Sequence, residues 1–201
     1  MAKDSRYCVQ LRRRKEGKTD YKARKALVIS GKPRLVVRNT LKNVIAQIIV
    51  AKPHGDEVLV SAHSRELKKY EWKAHAGNLP SAYLTGLLCG LKAKAQGVKE
   101  VILDIGLHSP SKGARVFAML KGVLDAGVHV PHSEEKLPDE KRIEGEHIAQ
   151  YAESLASNPE EYQSKFSKYL EQKLPPEDLP KHFAKVKTEI LAAFKSGGKK
   201  A

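Results

Sequence analysis

The chain has 201 residues, 41% of them hydrophobic, and it carries 37 lysine and arginine residues against 23 aspartate and glutamate residues. This length and composition allow one sizeable hydrophobic core, while the two cysteines, Cys8 and Cys89, are too few and too far apart for a disulfide framework or a cysteine metal site. No apolar run is long enough to span a bilayer and no secretory signal pattern is present, so we expect a cytoplasmic protein of a reducing compartment that does not bind membranes.

The positive charge is concentrated in the first quarter of the chain. Residues 1–50 hold 14 basic and 3 acidic residues, so they contribute +11 (14 − 3) to the formal net charge of +14. Each lysine or arginine that neutralises a phosphate releases condensed counterions, so such a segment gains affinity for RNA or DNA at low salt. The alternative interpretation is a basic tail that only aids solubility.

Residues 1–29 are predicted to form a basic N-terminal arm that binds RNA. Its tyrosines offer ring faces on which unpaired bases stack, and its arginines offer bidentate contacts to phosphates. Thr19 is predicted to cap a short helix over residues 20–28, with Asp20 well placed at the helix N-terminus. Before Thr19, disorder is expected in isolation, because like charges repel and little apolar surface can be buried. The candidate RNA contacts of the arm are Arg12, Arg13, Arg14, Lys15, Lys18, Tyr21, Lys22, Arg24 and Lys25.

Three β-rich runs follow the arm, at residues 34–39, 43–51 and 57–62. Short turns at residues 40–42 and 53–56 join them, which predicts an antiparallel meander. Arg34 and Arg38 fall on one face of the first strand because side chains alternate along a strand. A sheet face with two arginines is costly to bury in a core and well suited to contact phosphates.

The hydrophobic period changes to that of a helix at residue 79. Residues 79–95 and 113–126 are predicted as helices, residues 98–104 as a buried strand between them, and residues 128–130 as a short final strand. Helices that connect parallel strands serve as crossovers. The order predicts an α/β fold with a mixed sheet, in which an antiparallel meander is followed by a β-α-β-α order of ribonuclease-H-like topology.

The composition changes again after the predicted sheet. Residues 134–201 are predicted to form a C-terminal helical extension of two or three amphipathic helices, broken at residues 158–159 and 174–176, with a frayed tail from Ser196. The chain is thus expected to comprise the arm, an α/β RNA-binding domain at residues 30–133, and this extension. The acidic pairs of the extension suit contact with a basic neighbouring protein, and the alternative is a solvated face.

A ribonuclease-H-like sheet can also carry a nuclease, which needs clustered carboxylates to hold two metal ions. Asp104 lies at a strand end, but the first strand carries arginines instead of a matching acid, so Asp104 is predicted to cap the following turn. The segment at residues 106–113 lacks the ending of a phosphate-binding loop, although its N–H groups could contact a phosphate at the following helix start. The histidines are scattered without a metal-binding pattern, so we expect no catalytic residue, no metal site and no cofactor.

Five long segments are specific enough to compare with known families, at residues 17–24, 30–38, 69–72, 82–88 and 103–133. In this order they resemble the large-subunit ribosomal proteins that bind 5S ribosomal RNA, a family numbered eighteen, or five in eukaryotes. The resemblance covers essentially the whole chain. The length and the compact C-terminal region resemble archaeal rather than eukaryotic members, and bacterial members lack most of the segment after His132.

The resemblance implies a structural protein without enzymatic activity or a small-molecule substrate. Such a protein docks 5S ribosomal RNA in the central protuberance of the large subunit. The implied partners are 5S ribosomal RNA, the large-subunit (23S-type) ribosomal RNA, and neighbouring ribosomal proteins, including the other protein that binds 5S RNA. Besides the arm, the resemblance adds candidate RNA contacts at Arg34, Arg38, Asn39, Thr40, Asn43, Lys68, Lys69, Tyr70, Trp72, Lys73, Lys112 and Arg115.

Three questions stay open at the level of the sequence. Tyr70 and Trp72 are either platforms on which bases stack or residues that pack in the fold. The charge pattern alone also fits a general basic nucleic-acid-binding protein of the kind found in chromatin. The predicted topology also fits a nuclease, although the acidic cluster that a nuclease requires is missing.

Overall fold

The computed structural model describes residues 4, 5 and 7–197, so the start of the arm and the last four residues of the predicted frayed tail lie outside the described residues. The α-helices and strands of the described chain are α1 (Arg12–Lys15), α2 (Tyr21–Ile29), β1 (Arg34–Asn39), β2 (Val44–Lys52), β3 (Gly55–His63), α3 (Leu79–Ala95), β4 (Ile102–Asp104), α4 (Arg115–Asp125), α5 (Glu140–Glu144), α6 (Glu146–Leu155), α7 (Pro159–Glu171) and α8 (Leu179–Gly197). Short 3-10 helices lie at Ser64–Tyr70, Glu134–Lys136 and Pro176–Asp178. In the part of the chain described, no helix is long and apolar enough to cross a membrane.

The four strands form one mixed sheet in the order β3-β2-β1-β4. The β1–β2 and β2–β3 pairs are antiparallel, and β1–β4 is parallel, with Val36 opposite Asp104. This arrangement confirms the predicted α/β class, the antiparallel meander and the mixed sheet. The meander forms because three β-rich runs are joined by turns too short for anything but antiparallel pairing. β4, the parallel partner of β1, comes only after the crossover through α3.

The last predicted strand is reduced to a single bridge. Glu100 pairs with His129 in parallel, and β4 itself covers only the last three residues of the predicted run 98–104. The early part of this run pairs with the segment around His129, and only its last residues pair with β1. Pro131 lies two residues after His129 and has no N–H group to continue the hydrogen-bond ladder. This explains why no full strand forms at residues 128–130.

α3 and α4 form the layer that covers the core face of the sheet. The side chain of Asn78 caps α3 by accepting a hydrogen bond from the backbone N–H of Ser81 at 2.9 Å. The two helices touch backbone to backbone at Gly86, where an added Cβ would lie 2.1 Å from the carbonyl oxygen of Met119. Only glycine permits this approach, so the position of α4 against α3 depends on it. Both predicted helices are confirmed, with α4 two residues shorter at its start.

As far as the structure describes it, to residue 197, the C-terminal extension contains four α-helices instead of the predicted two or three. The breaks expected at residues 158–159 and 174–176 are present, and α7 begins at Pro159 as expected. An additional break occurs at Gly145, whose φ of 93° ends α5 and separates it from α6. The extension joins the main hydrophobic core through buried side chains, which are Ile143, Leu174, Leu179, Phe183, Val186 and Ile190.

Candidate nucleic-acid interface

The face of the sheet that points away from α3 and α4 is covered in part by the N-terminal arm. Leu35 and Val37 of β1 belong to the apolar core, whereas Arg34 and Val36 are buried outside it, as expected for alternating side chains. Arm residues, β1 and the loop after β4 together line a groove of about 240 Å³ on this face. The arm is therefore packed against the sheet instead of extending away from it.

The short helix of the arm has its N-cap one residue later than predicted. Asp20 is the N-cap of α2, and its Oδ1 atom accepts hydrogen bonds from the backbone N–H groups of Lys22 and Ala23. Thr19, the predicted cap, instead accepts a 2.9 Å hydrogen bond from Nε of Arg13 through its hydroxyl oxygen. A carboxylate also interacts more favourably with the positive helix N-terminus than a hydroxyl does, which favours Asp20. Before Thr19, where disorder was expected in isolation, the structure has the one-turn helix α1, of which no residue is buried.

Two arginines and two aspartates form a charge network beneath α2. The guanidinium of Arg24 donates two hydrogen bonds to the carboxylate of Asp56, at 2.7 and 2.8 Å. Arg34 donates to Asp56 at 2.9 Å and to Asp104 at 2.8 Å. The hydrogen bond from Arg24 is the main reason why the pKa of Asp56 lies below its ordinary value. The network connects the arm, β1, β3 and β4.

The structure separates the two arginines of β1, which were expected to face phosphates together. Arg38 is exposed, but Arg34 is only 2% exposed and its terminal nitrogens are bonded to carboxylates. Arg34 therefore has no surface on which a phosphate could bind directly. The physical reason is that Asp56 and Asp104 neutralise the guanidinium, which lowers the free-energy cost of burying it under the arm.

Most of the basic side chains of the described arm are exposed to solvent. In α1, the side chain of Arg12 is 84% exposed, and after α1 that of Lys18 is 62% exposed, although both contact Glu16. Tyr21 and Arg24 are half-buried where α2 meets the sheet. We refer to the exposed basic residues of this region as the arm surface, which comprises Arg12, Arg13, Arg14, Lys15, Lys18, Lys22, Lys25 and Arg38.

The turn between β1 and β2 is held by its own side chains and by α4. The hydroxyl of Thr40 donates to the carbonyl of Asn43 at 2.8 Å and accepts from its N–H group at 2.9 Å. Arg115 donates to the carbonyl oxygens of Thr40 and Gly77 at 3.0 and 2.8 Å, so it braces this turn against the loop before α3. Lys112 is exposed in the loop before α4. The guanidinium of Arg115 thus has a structural role, because it connects the turn to the loop before α3.

A second basic surface lies at the 3-10 helix after β3. Lys68, Lys69 and Lys73 are exposed there, and we call these three residues the loop surface. The segment contacts α3 and α8, which belong to the helical layer of the molecule, so it is separate from the arm surface. The structure thus places the exposed predicted contacts of the arm and those of this loop on separate surfaces.

The aromatic residues of this segment pack within the protein. Trp72 is only 5% exposed, and its ring stacks on that of His182 with centroids 5.2 Å apart and an angle of 17° between the planes. Tyr70 is half-buried, and burial raises the pKa of its hydroxyl. For Trp72, the packing alternative therefore holds, because its ring is not accessible to a base.

Asp104 has the capping role that the sequence predicted. Its Oδ1 atom accepts a 3.0 Å hydrogen bond from the N–H group of Gly106, and its other oxygen binds Arg34. Among the described residues, no group of three or more histidines, cysteines, aspartates or glutamates comes together as a metal ion would require. Asp56, by contrast, is predicted from the sequence only as part of a turn. The strongest signal for its role is that a buried Arg34 requires acidic partners.

The chain matches the model of a known protein family. The family model of the ribosomal large subunit proteins 60S L5 and 50S L18 matches residues 5–100 and 90–133 of the chain. The matched part is well over half of the chain, and it includes the arm, the whole sheet, α3 and α4. Both basic surfaces lie inside it, whereas α5 to α8 lie outside.

Proposed function

Because the chain belongs to this family of large-subunit ribosomal proteins, we propose that it binds 5S ribosomal RNA and attaches it to the large subunit in the central protuberance. Membership makes the protein a component of a ribonucleoprotein that acts in translation, with ribosomal RNA and ribosomal proteins as partners. The finer assignment concerns which RNA it binds and where in the subunit it lies.

The observation that carries this proposal is the arm surface. Eight basic side chains are exposed on one segment and the adjacent strand, and few acidic groups accompany them. Such a surface gains affinity from the release of counterions when it neutralises phosphates. Structured RNA hides its base edges in a deep, narrow groove, so phosphate and shape contacts dominate its recognition.

The proposed recognition mechanism gives the arginines different roles. Arg12, Arg13 and Arg14 contact RNA phosphates, and Arg38 contacts phosphates from the sheet. Arg24 and Arg34 support the arm from below, because their guanidinium groups are bonded to carboxylates. Tyr21 is half-buried, so it stacks on a base only with the part of its ring that remains exposed.

The loop surface supports the attachment part of the proposal. A protein that joins 5S RNA to the large subunit needs more than one RNA-binding surface. Lys68, Lys69 and Lys73 are separate from the arm and provide a second polyanion-binding region. We assign this region to the large-subunit RNA, and the acidic pairs of the C-terminal extension, such as Glu134 and Glu135, to a basic neighbouring protein.

Attachment is tested by reconstitution. Large subunits that have been stripped of 5S RNA and of this protein are incubated with labelled 5S RNA, with and without the purified protein, and sedimented. We expect 5S RNA to sediment with the subunit only when the protein is present. A variant in which Lys68, Lys69 and Lys73 are replaced by glutamine is expected to bind free 5S RNA but to attach it poorly. Equal sedimentation of 5S RNA without the protein would contradict the proposed attachment role.

Two other functions make different predictions. A general nucleic-acid-binding protein would bind duplex DNA and 5S RNA equally well at the same salt concentration, and the exposed basic charge by itself permits this. A nuclease would cleave RNA in the presence of magnesium. We propose that the protein has no such activity, because Asp104, its one candidate acid at a strand end, is engaged with Arg34 and Gly106.

A further inference from the structure

Within the described part of the chain, one pair of residues provides the hydrogen bonds between the arm and the body of the protein. Among the described residues, the only hydrogen bonds between residues 7–29 and residues 34–197 are the two from Arg24 to Asp56. The pair is bidentate, with both terminal nitrogens of Arg24 facing both oxygens of Asp56. This geometry is directional and strong compared with a hydrogen bond between neutral groups.

Apolar contacts give α2 little additional hold on the sheet. No residue of this nine-residue helix is fully buried, and Val28 and Ile29 at its end are exposed. A helix of this length is marginal in water unless tertiary contacts support it. The position of α2, and hence of the basic residues before and within it, therefore depends on the Arg24–Asp56 pair.

The body of the protein holds Asp56 in place for this contact. Arg34 is buried and donates a 2.9 Å hydrogen bond to Oδ2 of Asp56, which is one of the two oxygens that Arg24 binds. The other terminal nitrogen of Arg34 is anchored on Asp104 of β4. Asp56 is thus fixed from below by a rigid part of the sheet, and its carboxylate presents a preformed acceptor to the arm.

We propose that Asp56 is a positioning residue for RNA binding: it docks α2 on the sheet and so fixes the arm surface in the arrangement that the RNA meets. This inference rests on the proposed function of the arm. Asp56 makes no contact with the RNA, and its negative charge lies close to a surface that binds a polyanion. Asp56 instead raises the fraction of molecules in which the arm is docked. When that fraction falls, the apparent affinity for RNA falls with it, because only the docked state is competent to bind.

The direction in which RNA affinity changes in Asp56→Asn distinguishes this positioning role from a purely electrostatic effect. Removal of a negative charge near a phosphate-binding surface is expected to strengthen RNA binding if charge alone matters. In Asp56→Asn we expect the opposite, a loss of 5S RNA affinity of about tenfold, because a bidentate hydrogen bond between charged groups is lost. Asp56→Glu keeps a carboxylate within reach of Arg24 and is expected to recover part of the affinity.

Glu57 provides a matched control in the neighbouring position. Its side chain is half-exposed and pairs with Lys52 of the same hairpin, and the described residues show no ion pair between Glu57 and the arm. Glu57→Gln makes the same change in charge next to Asp56, and we expect RNA affinity to stay the same or to rise slightly. A fall in Glu57→Gln equal to that in Asp56→Asn would show that the loss is not specific to docking of the arm, and would overturn the proposal.

Docking of the arm is measured directly by amide hydrogen exchange in the free protein. We expect the amides of α2 to exchange about tenfold faster in Asp56→Asn than in the wild type, while α3 keeps its protection. Because Asp56→Asn also weakens the support of Arg34, Arg24→Gln serves as a second variant that leaves the Arg34–Asp56 and Arg34–Asp104 hydrogen bonds in place. It is expected to show the same faster exchange in α2 with an unchanged unfolding midpoint of the body.

Besides an equal fall in Glu57→Gln, two further results would contradict the positioning role. One is protection of α2 that is unchanged in both variants; the other is 5S RNA affinity that rises in Asp56→Asn as it does in Glu57→Gln. If the wild-type protein showed no preference for 5S RNA, the proposed function would fail instead. The exchange of α2 in the free variants would still report whether Asp56 docks the arm.

Discussion

Arg34 of β1 donates a 2.8 Å hydrogen bond to Asp104 of β4, so an arginine that the sequence places on an RNA-binding face is buried in an ion pair. The two strands are parallel neighbours, and Arg34 lies opposite Ile102 in their register. The pair fixes β4 to β1 from the outer face of the sheet. Because Arg34 is buried by this pair, Arg38 is the arginine of β1 that is accessible to solvent.

Arg34 and Arg38 are therefore expected to respond differently to substitution. Arg34→Ala leaves two carboxylates without their partner, so the free energy of unfolding should fall by about 3 kcal/mol. Arg38→Ala removes an exposed side chain, so its unfolding free energy should change by less than about 0.5 kcal/mol while its affinity for RNA falls. Urea unfolding and RNA titration of both variants provide the comparison. Equal loss of stability in both would contradict the burial of Arg34.

Docking of the arm is expected to depend on pH through Asp56. The hydrogen bond from Arg24 holds the pKa of the folded-state carboxyl below its ordinary value of 3.8. The stabilisation is thus fully present above the unfolded-state pKa and is lost as the pH falls through the lowered folded-state value. Hydrogen exchange of α2 should be constant from neutral pH down to about pH 4, after correction for intrinsic rates, and should accelerate below it. In Asp56→Asn this acceleration should be smaller, with only the contribution of the capping carboxylate of Asp20 remaining.

RNA affinity is expected to fall steeply with salt. With some six to ten phosphate contacts, the affinity should fall by about three to five orders of magnitude between about 50 and about 200 mM salt. Replacement of Arg12, Arg13 and Arg14 by glutamine should reduce the slope of log affinity against log salt by about 2 to 3, because three contacts are lost. Filter binding or fluorescence anisotropy over a series of salt concentrations measures both slopes.

The control for this slope is a triple variant with the same change in charge at Lys165, Lys168 and Lys173. These lysines are exposed in and after α7, outside the part of the chain that the family model matches. Their replacement by glutamine should leave the slope nearly unchanged. A reduction as large as that of the arm variant would show that net charge, and not the arm surface, governs binding.

Trp72 is the one tryptophan of the chain, so its fluorescence reports on its own surroundings. Because its ring is buried against His182, we expect an emission maximum typical of an apolar environment and no quenching when RNA binds. Trp72→Ala should lower the unfolding free energy by about 3 to 5 kcal/mol, as expected for loss of a buried aromatic ring. Strong quenching by 5S RNA would indicate that a base reaches the ring.

Much of the fold was predictable because local pattern and tertiary structure agree. The meander follows from alternating residues and short turns, and α3 follows from helical periodicity between the cap Asn78 and Gly97. The missing final strand could also have been predicted from Pro131, which stops the hydrogen-bond ladder. The extra break at Gly145 was harder to predict, since a single glycine in a helical pattern does not specify a positive φ.

The site was predicted less completely, for a physical reason. Alternation along β1 places Arg34 and Arg38 on the same face, but it does not show that Arg34 is covered. That depends on Asp56 and Asp104, which lie 22 and 70 residues away along the chain. The burial of Trp72 likewise depends on His182, which lies in the C-terminal extension. Contacts of this range are set by the tertiary fold and leave no periodic signal in the sequence.

The most direct test of the proposed 5S RNA role is competition binding with the wild-type protein. Labelled 5S RNA is bound at physiological salt and challenged with excess transfer RNA and excess duplex DNA. We predict that 5S RNA remains bound under both challenges, because the docked arm and the sheet present a surface of defined shape to it. Equal displacement by all polyanions would contradict specific 5S RNA docking and would show that the basic charge acts without selectivity.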